Sequence, residues 1–337
     1  MKKTLAIICA LVLMLSLCAC GGSSAPAETE APAAAPAGTT TDAPAAAVYN
    51  VGICQLVQHD ALDAATKGFK DALTDKLGAN VVFDEQNASG DSATCSVICN
   101  QFVSNEVNLI MANATPAVLA AQSATGTIPI LGTSVTDYGS ALGITDWTGT
   151  TGTNISGTSD LAPLDGQAQM IQELFPDVKT VGILYCSSEP NSKYQATVMT
   201  NELAGLGIAV KEFTFSDSND VANVTANACG EVEVLYIPTD NTAASCTEAI
   251  NNVALPAGVP IVAGEEGICA GCGVATLSIS YYDLGYATGL QAYEVLVNGA
   301  DVSTMEIQFA PQFTKKYNAA NCEALNVQAP ADYVAIG

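Results

Sequence analysis

Short apolar runs that stop at polar loops and give way to amphipathic stretches recur along this chain. The clearest spans residues 181–192, V-G-I-L-Y-C-S-S-E-P-N-S, and leads into a helix-like stretch at 193–206. Residues 51–60 repeat that grammar: V-G-I-C-Q runs into L-V-Q-H-D and then an amphipathic segment at 61–77. Two such openings predict two similar α/β lobes. Between them the pattern predicts strands at 81–84, 107–111 and 128–131. It also predicts helices at 92–104 and from Pro116 to about 125, the second started by Pro116 behind a Thr115 cap. Later come helices at 164–175, 193–206, 219–228, 243–253 and 283–298, and strands at 180–185, 208–213, 232–237 and 259–263. Strands alternating with helices of this length predict doubly wound parallel sheets built from right-handed β-α-β units. The Gly/Thr-rich stretch 144–159, which holds the only tryptophan, Trp147, reads as the crossing into the second lobe. Residues 274–279 read as a crossing back. One lobe then takes 48–155 and 280–310, the other 156–279 and 311–337, joined by a multi-strand hinge.

Each predicted strand ends in a polar run: 55–60, 113–115, 133–137, 187–191, 239–241 and 265–266. Any one of these is an ordinary loop. In doubly wound lobes, however, all six gather at the carboxyl edge of the strands, where small ligands bind, and two hinged lobes can close that edge over a solute.

The N-terminus adds a destination. Met1-Lys2-Lys3 precedes an apolar run at 5–17, too short to span a membrane comfortably but suited to an export signal. It ends in L-C-A-C-G, which resembles the bacterial lipoprotein signature with Cys20 as the lipidated residue. Residues 1–20 are therefore read as a signal and 21–47, almost wholly Ala, Pro, Thr, Ser, Gly and Glu, as a disordered tether. Acidic residues outnumber basic ones 34 to 10, so the chain lacks the basic footprint that nucleic acid requires, and membrane contact is expected through the lipid alone. Of the 12 cysteines, Cys9, Cys18 and Cys20 belong to the signal. The other nine are scattered, several of them in apolar runs as small hydrophobes. The single C-x-x-C, Cys269 to Cys272, lacks the second pair that zinc needs and reads as lying in a Gly-rich loop. No metal or cofactor is expected.

The stretches V-G-I-C-Q-L-V-Q-H-D-A-L-D-A-A-T-K-G-F, I-P-I-L-G-T-S-V-T-D, T-G-T-N-I-S-G-T-S-D, V-G-I-L-Y-C-S-S-E-P-N-S, Y-I-P-T-D-N-T, V-A-G-E-E-G and S-I-S-Y-Y-D-L-G occur in this order over residues 49–298. Together with the lipoprotein signature, they resemble the extracytoplasmic substrate-binding lipoproteins of ABC transporters in the tryptophan/tyrosine-type group. That resemblance implies the type I periplasmic binding protein fold, capture of an aromatic amino acid by hinge closure, and delivery to permease subunits at the outer face of the cell membrane. The expected protein is a monomer and not an enzyme.

Candidate contacts come from the strand-end loops: Gln55, Gln58, His59 and Asp60; Thr115; Thr133, Ser134, Thr136 and Asp137; Ser188, Glu189 and Asn191; Asp240; and Glu265 and Glu266. His59, the only histidine, reads as a ligand contact or as a surface cap. Thr133, Ser134 and Thr136 suit a carboxylate at a helix start, or simply cap that helix. Asp240, Glu265 and Glu266 are the carboxylates available to a ligand ammonium. Glu189 and Asn191 stand in the second lobe where Gln58 to Asp60 stand in the first. Tyr138, Tyr185, Tyr236, Tyr281 and Tyr282 are candidates for an aromatic wall or for packing. Two other readings remain open at this point. One is an enzyme on the same fold using Cys269 and Cys272; the other is a receptor for a nucleoside or sugar.

Overall fold

The computed structural model describes residues 47–336; the expected signal, Cys20 and nearly all of the tether lie outside them. The first lobe begins β1 (Tyr49–Gln55), α1 (Asp60–Leu77), β2 (Val81–Asn87), α2 (Ser92–Ser104), β3 (Leu109–Asn113), α3 (Thr115–Ala124), β4 (Ile130–Val135), α4 (Tyr138–Leu142) and β5 (Ile155–Ser159). The second lobe follows with α5 (Leu164–Leu174), β6 (Thr180–Cys186), α6 (Pro190–Gly205), β7 (Ala209–Phe215), α7 (Val221–Cys229) and β8 (Val234–Ile237). It continues through α8 (Asn241–Ser245), α9 (Thr247–Ala257), β9 (Ile261–Ala263), α10 (Glu266–Cys272) and β10 (Ala275–Ser278). The chain returns through α11 (Tyr281–Asn298) and β11 (Gln308–Phe309), then ends in β12 (Thr314–Tyr317), α12 (Ala319–Ala324) and β13 (Val334–Ala335).

Two sheets result, ordered β11-β5-β4-β3-β1-β2 and β13-β12-β10-β9-β8-β6-β7. The first is parallel throughout; the second is parallel except where β12 runs against β10. The alternating side chains of β1 show why helices cover both faces. Val51 and Ile53 pack with Phe69, Leu73 and Ala292 of α1 and α11, whereas Cys54 packs with Cys99, Phe102 and Val118 of α2 and α3. The second sheet repeats this arrangement. Val181 and Ile183 meet Ile171, Met199 and Leu203 of α5 and α6, while Leu184 meets Val221, Ile250 and Ile268 of α7, α9 and α10.

The return helix α11 belongs to the first lobe because its backbone lies almost in contact with α1. A Cβ on Gly285 would stand 1.9 Å from the Ala65 carbonyl oxygen, and one on Gly68 2.1 Å from that of Tyr282. Only glycine allows so close an approach.

Three expectations shift. The seam placed at 155/156 comes one strand too early, because β5 ladders onto β4 and β11 and so completes the first sheet. Residues 274–279 are mostly strand β10 of the second sheet, so the crossing back lies just after Ser278. The C-x-x-C is also not in a loop: Cys269 and Cys272 fall within α10, both buried. All nine described cysteines are free thiols.

Candidate functional site

The strand ends of both sheets meet between the lobes around a cavity of about 10 Å³, lined among others by His59, Ser134, Thr136, Asp160, Asn191, Thr239, Asp240, Asn241, Glu265 and Tyr281. The lobes touch directly across it. Thr136 Oγ1 stands 3.4 Å from Thr239 Oγ1 and accepts at 3.4 Å from Gln195 Nε2, and His59 Nε2 lies 3.3 Å from Asn241 Oδ1. Burial holds the His59 imidazole below its ordinary pKa against the pull of Asn241 and the nearby Glu189, Asp63 and Asp60.

On the first lobe, β3 and β4 end in backbone that L-residues rarely adopt. Ala114 has φ +91° and Ser134 φ +55°. Those kinks leave the Thr115 and Ser134 hydroxyls buried, and neither has a hydrogen-bond partner in the protein. The end of β5 is tied beneath this edge: Ser159 Oγ donates to the Thr136 carbonyl at 2.8 Å, and Asp160 N donates to Val135 O at 3.2 Å. Asp160 is 4% exposed. Its Oδ2 accepts from Tyr281 Oη at 2.8 Å, while Oδ1 has no partner. Burial pushes its carboxyl up to about 6, with the Tyr281 and Thr136 hydroxyls pulling the other way.

On the second lobe the carboxylates are spoken for. Glu189 accepts from Asn241 N at 3.0 Å and Nδ2 at 2.7 Å, from Thr242 N at 2.8 Å and Oγ1 at 2.7 Å, and from Asn191 Nδ2 at 3.2 Å. Asp240 accepts from Cys186 N, Ser192 Oγ and Ala243 N, each at 2.7 Å. Burial, and then the neighbouring Glu189 charge, push Asp240 up. Glu265 caps α10 by accepting from Gly267 N at 2.6 Å and from Ile268 N; burial pushes it up to about 7. Asn191 differs from all three. Its amide nitrogen donates to Thr239 O at 3.1 Å, but its Oδ1 is buried without a partner.

The expected site residues therefore separate. His59, Ser134, Thr136, Asn191, Asp240 and Glu265 line the interlobe cavity, and Thr115 and Asp137 line the pocket beside it. Gln55 and Gln58 line a pocket of about 460 Å³ on the first lobe, with Gln55 held by Thr66 and Asp63. Asp60 and Glu266 line a pocket behind the hinge, and Thr133 is buried against Thr158. Glu189 is buried as a cap, while Ser188 is exposed beside Cys186. Asp160, Thr239 and Asn241 are polar cavity residues outside the expected contacts, and Leu62 and Ala244 line the cavity beside them. Tyr281, expected as an aromatic wall or as packing, enters through its hydroxyl. The available signal for Asp160 was a strand ending in polar residues, S-G-T-S-D, which a Gly/Thr-rich reading treats as linker. Among the described residues no cluster of His, Cys, Asp or Glu is arranged to hold a metal, and no helix is long and apolar enough to cross a membrane.

Residues 50–335 match the family model "ABC transporter substrate binding protein". The chain is 37% identical over 282 residues to the tyrosine-binding protein of Clostridioides difficile (strain R20291), covering 83% of this chain and 81% of that protein. It superposes on an ABC domain from Streptococcus pneumoniae solved with L-Trp, at TM-score 0.81 and 29% identity, covering 85% of this chain and 97% of that one. It also matches the ligand-free, open structure of a substrate-binding protein with adhesive properties from Clostridium difficile, at TM-score 0.66 and 35% identity, covering 86% and 99%. The poorer superposition on the open structure, despite its higher identity, agrees with the direct contacts between the lobes. The fold is that of the type I periplasmic binding proteins.

Proposed function

The chain belongs to the ABC transporter substrate-binding proteins, extracytoplasmic proteins that bind a small solute, and from that premise we propose that it captures an aromatic α-amino acid between its lobes. One observation carries this reading. Of seven buried side-chain polar atoms without a partner among the described residues, four surround the cleft: Thr115 Oγ1, Ser134 Oγ, Asp160 Oδ1 and Asn191 Oδ1. A buried polar atom left unpaired costs about 1–3 kcal/mol, so four in one place are groups reserved for a ligand.

Their chemistry suits the two ends of an amino acid. Asp160 Oδ1, deprotonated when the ligand arrives, accepts from the ammonium. The Ser134 and Thr115 hydroxyls donate to the carboxylate at the start of α3. Asn191 Oδ1 is a second acceptor for the ammonium. The ligand's polar head takes the place of the direct Thr136–Thr239 and Thr136–Gln195 contacts, so a loaded cleft is bridged by the solute. Preference for that bridged state shifts the open–closed equilibrium. The names of the relatives support the aromatic class: one binds tyrosine and one was solved with L-Trp. In this reading the protein is a monomer with no catalytic role. A lipid on Cys20, which lies outside the described residues, anchors it at the outer face of the membrane beside the permease subunits that receive the solute.

A thermal-shift panel on the chain from residue 47, with the twenty amino acids, nucleosides and simple sugars, tests the assignment. A ligand at a thousand times its Kd adds about 4 kcal/mol to stability. The expected rise is with tyrosine, tryptophan or phenylalanine. A rise only with a nucleoside or sugar overturns the ligand class. Labelled palmitate incorporation that is lost in Cys20→Ala checks the anchor.

A further inference from the structure

The polar head of the ligand has a place in the cavity, but its ring does not. About 10 Å³ is room for roughly one water, whereas a cavity on the order of 150 Å³ takes a benzene ring. Three pockets adjoin the cavity, and they are not equivalent. One of about 410 Å³, shared through His59 and Glu265, is walled by polar and very small residues such as Gln58, Ser245 and Thr247. One of about 460 Å³ lies behind Glu265 and Tyr281, and the way into it is closed by the Tyr281–Asp160 hydrogen bond and by Glu265, whose two oxygens are taken by α10. The third, about 360 Å³, lies between α4 of the first lobe and the first turns of α6 of the second.

We propose that this third pocket seats the ligand's aromatic side chain, with the Tyr194 ring as its wall and Ala141, Pro190 and Val198 as its apolar lining; the inference rests on the amino-acid reading above. Two observations place the ring here. The pocket shares Asn191 with the cavity, and both Asn191 and Thr115, which also lines it, carry unpartnered buried oxygens. A ligand head held by those atoms has its side chain at this opening and at neither of the others. The wall is also built from both lobes, Ala141 on one and Pro190, Tyr194 and Val198 on the other, so a ring seated there is gripped only when the lobes close. Specificity and closure then share the same contacts.

The test is calorimetric titration of L-tyrosine, L-tryptophan and L-phenylalanine into the wild type, Tyr194→Ala, Tyr194→Phe and Ala141→Trp, with the ligand-free melting temperature of each recorded. Removing the aromatic wall in Tyr194→Ala is expected to weaken binding of the preferred amino acid about tenfold or more, and Tyr194→Phe to stay within about threefold of wild type. Filling the pocket in Ala141→Trp is expected to weaken it about 100-fold or more, most for the largest ring. Both positions are part-exposed, and the two changes act in opposite senses, one emptying and one filling the pocket, so a loss of fold in either variant leaves the other to decide. Wild-type affinity retained in both Tyr194→Ala and Ala141→Trp overturns the seat while leaving the amino-acid reading intact. A wild type that binds no amino acid overturns both.

Discussion

Glu189 and Asp160 are both buried carboxylates just beyond strand ends, one in each lobe, yet they do opposite things. Glu189 receives five hydrogen bonds, four of them from Asn241 and Thr242 at the start of α8, and so ties the end of β6 to the end of β8. Asp160 receives one, from Tyr281, and keeps an oxygen free. The first carboxylate is spent on the fold. The second is held in an environment that disfavours its charge and offers nothing to one of its oxygens, a cost a folded protein tolerates at a site that acts on something else.

That contrast can be broken experimentally. Glu189→Ala leaves the Asn241 and Thr242 donors without an acceptor. It should lower stability by about 3 kcal/mol or more, read as a fall in melting temperature with or without ligand. Asp160→Asn should do the reverse. Binding of the amino acid weakens about 100-fold, the scale of losing a charge-assisted contact to an ammonium, while the ligand-free protein at pH 8 melts no lower and gains up to ~2 kcal/mol. If Asp160→Asn destabilises and Glu189→Ala does not, the two roles have been assigned the wrong way round.

A subtler separation comes from pH. Asp160 and Glu265, at about 6 and about 7, are raised above their unfolded values. The stability they contribute is therefore fully present below about pH 4 and is lost as pH rises through 6 to 7. Asp240, raised by burial and by Glu189, adds to this trend, and His59, held low by burial, opposes it. Ligand-free stability should thus fall between pH 5 and pH 8 by about 2 kcal/mol per carboxylate, read as a lower melting temperature. Affinity should move the other way. A ligand ammonium needs the Asp160 carboxylate ionised, so binding tightens as pH rises through about 6 and weakens by up to about tenfold per unit below it. In Asp160→Asn the affinity profile between pH 5 and 7 should flatten, while the Glu265 part of the stability profile remains.

Much of the molecule is legible in the order of its residues. The burial period of V-G-I-L-Y-C or V-G-I-C-Q is a local property, and so are the Pro starts of α3 and α6 and the Asp caps of α4 and α8. The alternation therefore specifies two doubly wound lobes and the edge where their polar ends collect. β5 escapes because I-S-G-T-S has no apolar run. All five of its residues are buried, and its hydroxyls are satisfied by distant partners: Thr158 by Thr133 at 3.2 Å and Thr288 at 2.8 Å, and Ser156 by the Met305 carbonyl at 3.0 Å. With β5 hidden as a strand, Asp160 is hidden as a strand end.

The sequence by itself determined the fold class, the lobes to within one strand, and the strand-end polar residues that supply most of the proposed site, Asp160 excepted. Tertiary structure alone decided which of those residues are free to bind. Whether a carboxylate or amide is satisfied depends on partners remote along the chain: Glu189 on residues some fifty positions away, Asp160 on Tyr281 more than a hundred away. Composition and periodicity report what surrounds a residue on its own element. The hydrogen bonds that use a polar group up, or leave one of its atoms over, form only when separate elements converge.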